Sequence, residues 1–111
     1  SLNLTIEENL AYDMDTYPRN FELKNTYPNP FNPTVTIDFD IDRQRKVSAH
    51  IFNIVGEKVK TLFENQNFHS GNHIEKWQAR NDLGYKVSNG IYFIQFVSEN
   101  IILQRKIIYV K

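Results

Sequence analysis

Apolar and polar residues alternate along most of this chain. Val35, Ile37, Phe39 and Ile41 are interleaved with Thr34, Thr36, Asp38 and Asp40, the period-2 pattern of a half-buried antiparallel strand. "KVSAHIFNIV" (46–55), a Gly56-Glu57 turn and "KVKTLF" (58–63) predict a hairpin. A further strand is expected in "GNHIEKWQA" (71–79), starting after Gly71. "RNDLGYKVSNG" (80–90) is rich in turn residues, with Gly84 and Gly90 suited to positive φ. "IYFIQFVS" (91–98) and "IILQRKIIYVK" (101–111) follow, separated by a tight turn at Glu99-Asn100. No segment carries a helical period. About seven strands, each half apolar, must bury one face, and two sheets packed face to face do so. The expected class is all-β, an immunoglobulin-like β-sandwich of about seven antiparallel strands.

Residues 1–17 sustain neither period and are read as a linker or the end of a preceding domain, with one short strand expected over Leu2–Ile6. The folded domain is expected over 18–111. The chain opens on Ser1 rather than Met, so a piece cut from a longer polypeptide is expected, with Ser1-Leu2 a cloning remnant. Between linker and first long strand lies "TYPNPFNPT", which holds three of the chain's four prolines within six residues. Pro28, Pro30 and Pro33 fix their own φ and push Tyr27, Asn29 and Asn32 out of the helical region. The path into the strand is thus set with little entropy left to lose. Missing N–H groups make the segment a poor template for another strand. Tyr27 and Phe31 are expected to plug the end of the sandwich while the Asn side chains satisfy loop backbone.

Composition narrows the function classes. A chain of 111 residues, 41% apolar and 14% aromatic, is one globular domain. Lys+Arg and Asp+Glu each number 13, a balance that argues against a nucleic-acid partner and against a polybasic membrane patch. No cysteine is present, which removes disulfides, thiolate chemistry and Cys-ligated metals. No apolar run approaches the ~20 residues of a transmembrane helix, and no signal-peptide pattern opens the chain.

Candidate chemistry is sparse. His69 and His73 are four apart, but Gly71 and Asn72 between them argue against a helix, and on a strand the two would stand ~13 Å apart. His50 sits mid-strand with no candidate partner. Asp38, Asp40 and Asp42, and the pair Asp13 and Asp15, are read as solvated polar surface rather than a calcium site. Asn81–Gly84 resembles part of a calcium loop but lacks the repeating acids and the distal Glu, so a turn is expected. Trp77 and Tyr85 could form a sugar platform, although a lone Trp in a sandwich is more often core. Asn3-Leu4-Thr5 fits a glycosylation sequon, a triplet that chance also produces. No phosphate loop, nucleophile elbow or acid/base pair is present, so no catalytic residue, metal or cofactor is expected.

The motif string adds what periodicity cannot. Pro18, Phe21 and Leu23, then the unbroken run Tyr27, Pro28, Asn29, Pro30, Phe31, Asn32, Pro33, Thr34, open the series. Ile51, Phe52, Asn53, Gly56, Val59 and Leu62 follow, then Gly71, His73 and Trp77, then Asp82, Gly84, Val87, Gly90, Ile91 and Tyr92. The chain closes on Lys106, Ile107, Ile108, Tyr109, Val110 and Lys111. In this order the residues resemble the type A C-terminal sorting domain of proteins exported by the type IX secretion system of Bacteroidetes, over residues 18–111. The Trp and Gly motifs are shared with the related Ig-like domain of the flagellar hook-capping protein. Gln78 and Ala79 depart from the Asp-Gly that often follows the Trp in that family, and the Asp82–Gly84 turn is shorter than in some members.

The resemblance implies an address label at the C-terminus of a larger exported cargo. Such a domain is recognised by the outer-membrane machinery on the way to the cell surface or medium, and is then removed by a sortase-like peptidase. The last strand, Gln104 to Lys111, is the natural handle, by strand addition or by its charged end. Cleavage is expected within residues 1–17. A second reading, a structural or carbohydrate-binding accessory module of an extracellular enzyme, requires an exposed Trp77 or Tyr85. A third, a small hydrolase, requires a pocket of convergent polar groups that the sequence does not supply.

Overall fold

The computed structural model describes residues 18–111. Within them the chain forms β1 (Glu22–Tyr27), β2 (Val35–Ile41), β3 (Arg45–Asn53), β4 (Lys58–Phe68), β5 (Gly71–Trp77), β6 (Gly90–Ser98) and β7 (Ile101–Tyr109). A three-stranded sheet in the order β1-β2-β5 faces a four-stranded sheet in the order β4-β3-β6-β7. All pairings within the sheets are antiparallel. This is the expected all-β, Ig-like sandwich. The Leu2–Ile6 strand, the Asp13/Asp15 pair, the Asn3 sequon and the linker expected over 1–17 lie outside the described residues.

The period-2 pattern places the core. Val35, Ile37, Phe39 and Ile41 of β2 face Val47, Ala49 and Ile51 of β3 and Ile94 and Phe96 of β6, all buried. Phe39 sits at the centre, with ring contacts to Phe63, Phe68 and Phe96 at 4.8–6.2 Å. Such aromatic pairs add to the stabilisation from area burial alone. Tyr92, the third residue of β6, donates its hydroxyl to the Ser88 carbonyl at 2.6 Å, the tyrosine corner of sandwich folds. Burial, with the Tyr109 hydroxyl nearby, raises its pKa above the ordinary value.

The sandwich has two dissimilar ends. At the entry end, Phe21 packs beneath the Arg45 guanidinium, whose Cζ lies 5.0 Å from the ring centroid. Arg45, with a side chain only 3% exposed, donates to Asp42 at 2.8–3.0 Å and to Glu99 Oε1 at 3.0 Å. It also donates to the Ser98 hydroxyl at 3.3 Å. One buried cation thereby ties together the entering chain, the loop after β2 and the β6–β7 turn. At the far end lie the proline-rich loop, the β3–β4 turn, residues 78–90 and the end of β7.

Several expectations need correction. Strand β4 runs on to Phe68, five residues past the predicted end. An edge strand needs only its backbone ladder, so polar Glu64–Asn67 can extend it, with register shifts and Asn65 at φ 45. Strands β3, β5 and β7 end sooner than expected, because Asn53 opens a turn and Ala79 takes φ 57. The acidic ladder is not a solvated face. Asp40 is buried and accepts from Asn72 Nδ2 at 2.9 Å, with Lys24 Nζ at 3.7 Å. Asp42 is held by Arg45. His50 does have a partner, Glu64, at 2.8 Å.

Candidate functional site

Strand β7 lies at the edge of the four-stranded sheet, with only β6 beside it in the ladder. Its outward backbone groups, like those of the other edge strands β1, β4 and β5, are a template for another chain. The proline-rich loop answers this from 77 residues away. Phe31 N–H donates to the Ile108 carbonyl at 2.9 Å, and the Phe31 carbonyl accepts from Val110 N–H at 3.1 Å, forming a parallel bridge opposite Tyr109. Two residues earlier the same pattern repeats with a side chain in place of a peptide. Asn29 Nδ2 donates to the Lys106 carbonyl at 3.2 Å, and Asn29 Oδ1 accepts from Ile108 N–H at 3.0 Å. The carboxamide thus imitates a main-chain amide at the next rung of a parallel ladder.

The intervening Pro30 has no N–H to contribute, and a parallel rung at that position would point away from β7. The prolines stiffen a short false strand. Phe31 anchors it, 1% exposed and stacked on Tyr109 (5.2 Å) and against Trp77 (5.8 Å). Tyr27, expected as a second plug, is 49% exposed and stands outside. The Asn side chain expected to satisfy loop backbone instead satisfies the last strand.

The clamp covers only the end of β7. Ile108 turns its N–H and carbonyl outward, so the period of 2 turns those of Ile102, Gln104 and Lys106 the same way. Outside the sheet ladders, no backbone partner for Ile102 or Gln104 occurs among the described residues. β1 lies alongside that half, with the Arg105 guanidinium donating to the Leu23 carbonyl, while Ile102 is exposed beside it.

The remaining motif residues divide by burial. Trp77, Tyr92, Ile107 and Tyr109 are core, and Trp77 Nε1 donates to the Arg80 carbonyl at 2.8 Å. Pro28, Asn32, Pro33, Lys106, Val110 and Lys111 are exposed. Gly56 and Gly90 take φ 86 and 146, and Gly71 takes 137 where the chain changes sheet, a region that glycine adopts without penalty. His73 bonds the His69 carbonyl at 2.8 Å and stacks on Phe39, so its ring is committed locally.

One feature of the far end had a sequence signal that strand periodicity passes over. Asn53–Glu57 and Asn81–Tyr85 both read N-x-x-G-x and close with the same bonds. In each, Asn Oδ1 accepts from the backbone N–H two and four residues on, at 2.9–3.1 Å. In each, the Gly N–H returns to the Asn carbonyl. These rigid loops flank an open polar recess of about 480 Å³.

A family described as "Secretion system C-terminal sorting domain" matches residues 25–111. Among solved structures, dimeric latent PorU from Porphyromonas gingivalis superposes with a TM-score of 0.66 at 19% identity, over 78% of this chain and 9% of that one. PorZ, described as an essential bacterial surface component of the type-IX secretion system of the same organism, gives 0.52 at 22% identity, over 91% of this chain and 12% of that one. Truncated FlgD from Helicobacter pylori gives 0.52 at 22% identity, over 79% and 68%. At these identities the structures share the fold. The chain spans about a tenth of the length of the first two. No curated protein matches.

Proposed function

The chain belongs to the family of secretion system C-terminal sorting domains, and from that premise we infer that it is the type IX export address of a larger protein. It directs a cargo, carried on its N-terminal side, to the cell surface or medium. The outer-membrane machinery recognises it, a sortase-like peptidase removes it by cutting within residues 1–17, and it performs no catalysis itself. The observation that supports this best is the treatment of β7. The domain devotes its most specific sequence run to holding its last strand in shape, while Lys106, Val110 and Lys111 stay exposed. The handle is then the outer face and edge of β7, read by strand addition and by its cationic end. The carbohydrate-binding alternative keeps only Tyr85 of its two-residue platform, because Tyr85 is exposed but Trp77 is buried, and the family match favours the export reading.

The test is an export assay in a bacterium that carries the type IX machinery and exports its own sorting-domain proteins. A periplasm-directed fluorescent protein is fused ahead of residues 1–111. Deleting Lys106–Lys111 would be a poor control, since it removes the buried Ile107 and Tyr109. The triple variant Lys106→Glu, Val110→Asp, Lys111→Glu changes only exposed side chains. The parent fusion is expected at the surface or in the medium, with the triple variant folded but periplasmic. A parent fusion retained in the periplasm sinks the export reading; equal export of both sinks the handle.

A further inference from the structure

Beside the end of β7 lies a second recess, of about 490 Å³, and its charge is one-sided. Arg80, Lys86 and Lys111 line it together with Asn32, Gln78 and Tyr109, and among the described residues no acidic one does. In a chain of zero net charge, three cations converging on one hollow is a local excess. Arg80 and Lys86 are moreover directly opposed, as an isolated antiparallel bridge. Like charges facing each other across a bridge are destabilising, and the fold does not relieve them. Among the described residues neither forms an ion pair, and the Arg80 guanidinium donates to the Gly84 carbonyl.

Two acids of the adjoining loops are engaged elsewhere. Asp82 accepts from Thr61 N–H at 2.9 Å with Lys60 Nζ at 3.9 Å, and Glu57 accepts from Asn53 Nδ2 at 2.9 Å. Both lie in the neighbouring recess, which Lys86 also borders. The cations are thus left facing solvent around a hollow that also offers the Asn32 and Gln78 carboxamides.

We propose that this recess is a binding site for an acidic peptide segment of a partner protein, with carboxylates taken by Arg80, Lys86 and Lys111. Shape favours a peptide over a lipid surface. A membrane meets protruding points, whereas these cations line a concavity that admits a chain. Size favours a peptide over a lone anion, because a hollow of about 490 Å³ ringed by three cations is more than one small anion fills or neutralises. The identity of the partner as a component that reads β7 rests on the sorting function, since Tyr109 and Lys111 continue that strand into the recess; the site itself does not.

The test is a titration of the isotopically labelled 111-residue chain by NMR with acetyl-hexaglutamate-amide. Inorganic phosphate and phosphatidylglycerol vesicles are titrated in parallel. Saturable, salt-sensitive shifts confined to Asn32, Gln78–Arg80, Leu83–Lys86 and Tyr109–Lys111 are expected with the peptide. The Arg80→Gln, Lys86→Gln double variant should weaken them about tenfold, the loss of one to two charge-assisted bonds. Lys86→Glu supplies a control against misfolding. It turns a repulsive bridge into an attractive one, so it should hold or raise Tm while abolishing peptide binding. Absent shifts, equal shifts in the double variant, phosphate matching the peptide (an adventitious ion only), or binding to vesicles alone would each overturn the proposal. Failure here leaves the export assay untouched, and failure of export leaves peptide binding measurable.

Discussion

Replacing Asn29 with Ala removes one rung of the clamp and nothing buried, because Asn29 is exposed and, among the described residues, its carboxamide bonds only Lys106 and Ile108. A net hydrogen bond is worth about 0.5–1.5 kcal/mol. Two exposed bonds at 3.2 and 3.0 Å belong at the lower end, about 1 kcal/mol together, because water replaces them readily. For a domain of this size that lowers Tm by roughly 4–8 °C. The sharper readout is local. Ile108 N–H loses its acceptor, so its amide should exchange at least about fivefold faster, the factor that ~1 kcal/mol represents. Asn29→Asp separates the two halves of the rung, keeping an acceptor for Ile108 while setting an oxygen against the Lys106 carbonyl. It should protect Ile108 better than Ala does while recovering little stability. Unchanged exchange at Ile108 in Asn29→Ala would refute the side-chain rung. A fall in Tm far beyond this range would show that Asn29 carries some other burden.

Phe31→Ala deletes the anchor of the same clamp, with its ring contacts to Trp77 and Tyr109. It should cost about 3–5 kcal/mol, shift Trp77 fluorescence to longer wavelength and destabilise far more than Asn29→Ala; equal effects would contradict the packing. Tyr92→Phe removes the hydroxyl bond to Ser88 and should cost about 1 kcal/mol in urea unfolding, whereas an unchanged midpoint would show the corner to be idle. Burial alone would raise the Asp42 pKa, but the Arg45 side chain, the Arg43 backbone N–H and the Arg45 charge outweigh it and hold the carboxyl below the ordinary aspartate value. That contribution is complete above the unfolded-state value and fades as pH falls through the lower folded-state value. Asp42→Asn should therefore destabilise by about 2 kcal/mol at pH 7, less than breaking an isolated buried pair because Glu99 remains. The gap from the parent should narrow below about pH 4, and a gap constant down to acid pH would remove Arg45 from the account.

What the sequence made legible follows from the range of the interaction concerned. Strand β2 was plain because Val35, Ile37, Phe39 and Ile41 need only point the same way, a property of one segment. Phe31 was foreseen as a plug because an apolar residue locked between prolines has few other places to go, and Trp77 because a lone Trp in a sandwich is usually core. Tyr27 misled for the complementary reason: its partner set depends on which side of the clamp it falls. Asn29 was expected to serve its own loop, and instead bonds residues 77 and 79 positions away. Arg45 joins Asp42 to Ser98 and Glu99 across 53 and 54 residues, and no local pattern marks a buried cation. Ala79 is instructive because the departure from the family was visible while its meaning was not. It stands where Gly is frequent in that family, and its φ of 57 explains the preference. Its methyl is buried in the core, which offsets part of the strain of that conformation.

The clamp also bears on how a sorting signal can be reliable. A linear signal at a chain end is displayed whether or not the domain before it has folded. Here residues 106–110 acquire their shape from Asn29 and Phe31, and Phe31 in turn is fixed by Trp77 and Tyr109. The end of β7, proposed above as the handle, therefore has its shape only once the loop after β1, β5 and β7 have been brought together. A partner that recognises the clamped strand end thereby tests the completed sandwich, with Lys111 and the basic recess beside it as the charged part of the same surface. The entry end, where Arg45 gathers Phe21, Asp42 and Glu99, lies at the opposite pole. In the export reading proposed above, a cargo joined at that pole would leave the far end free to be read.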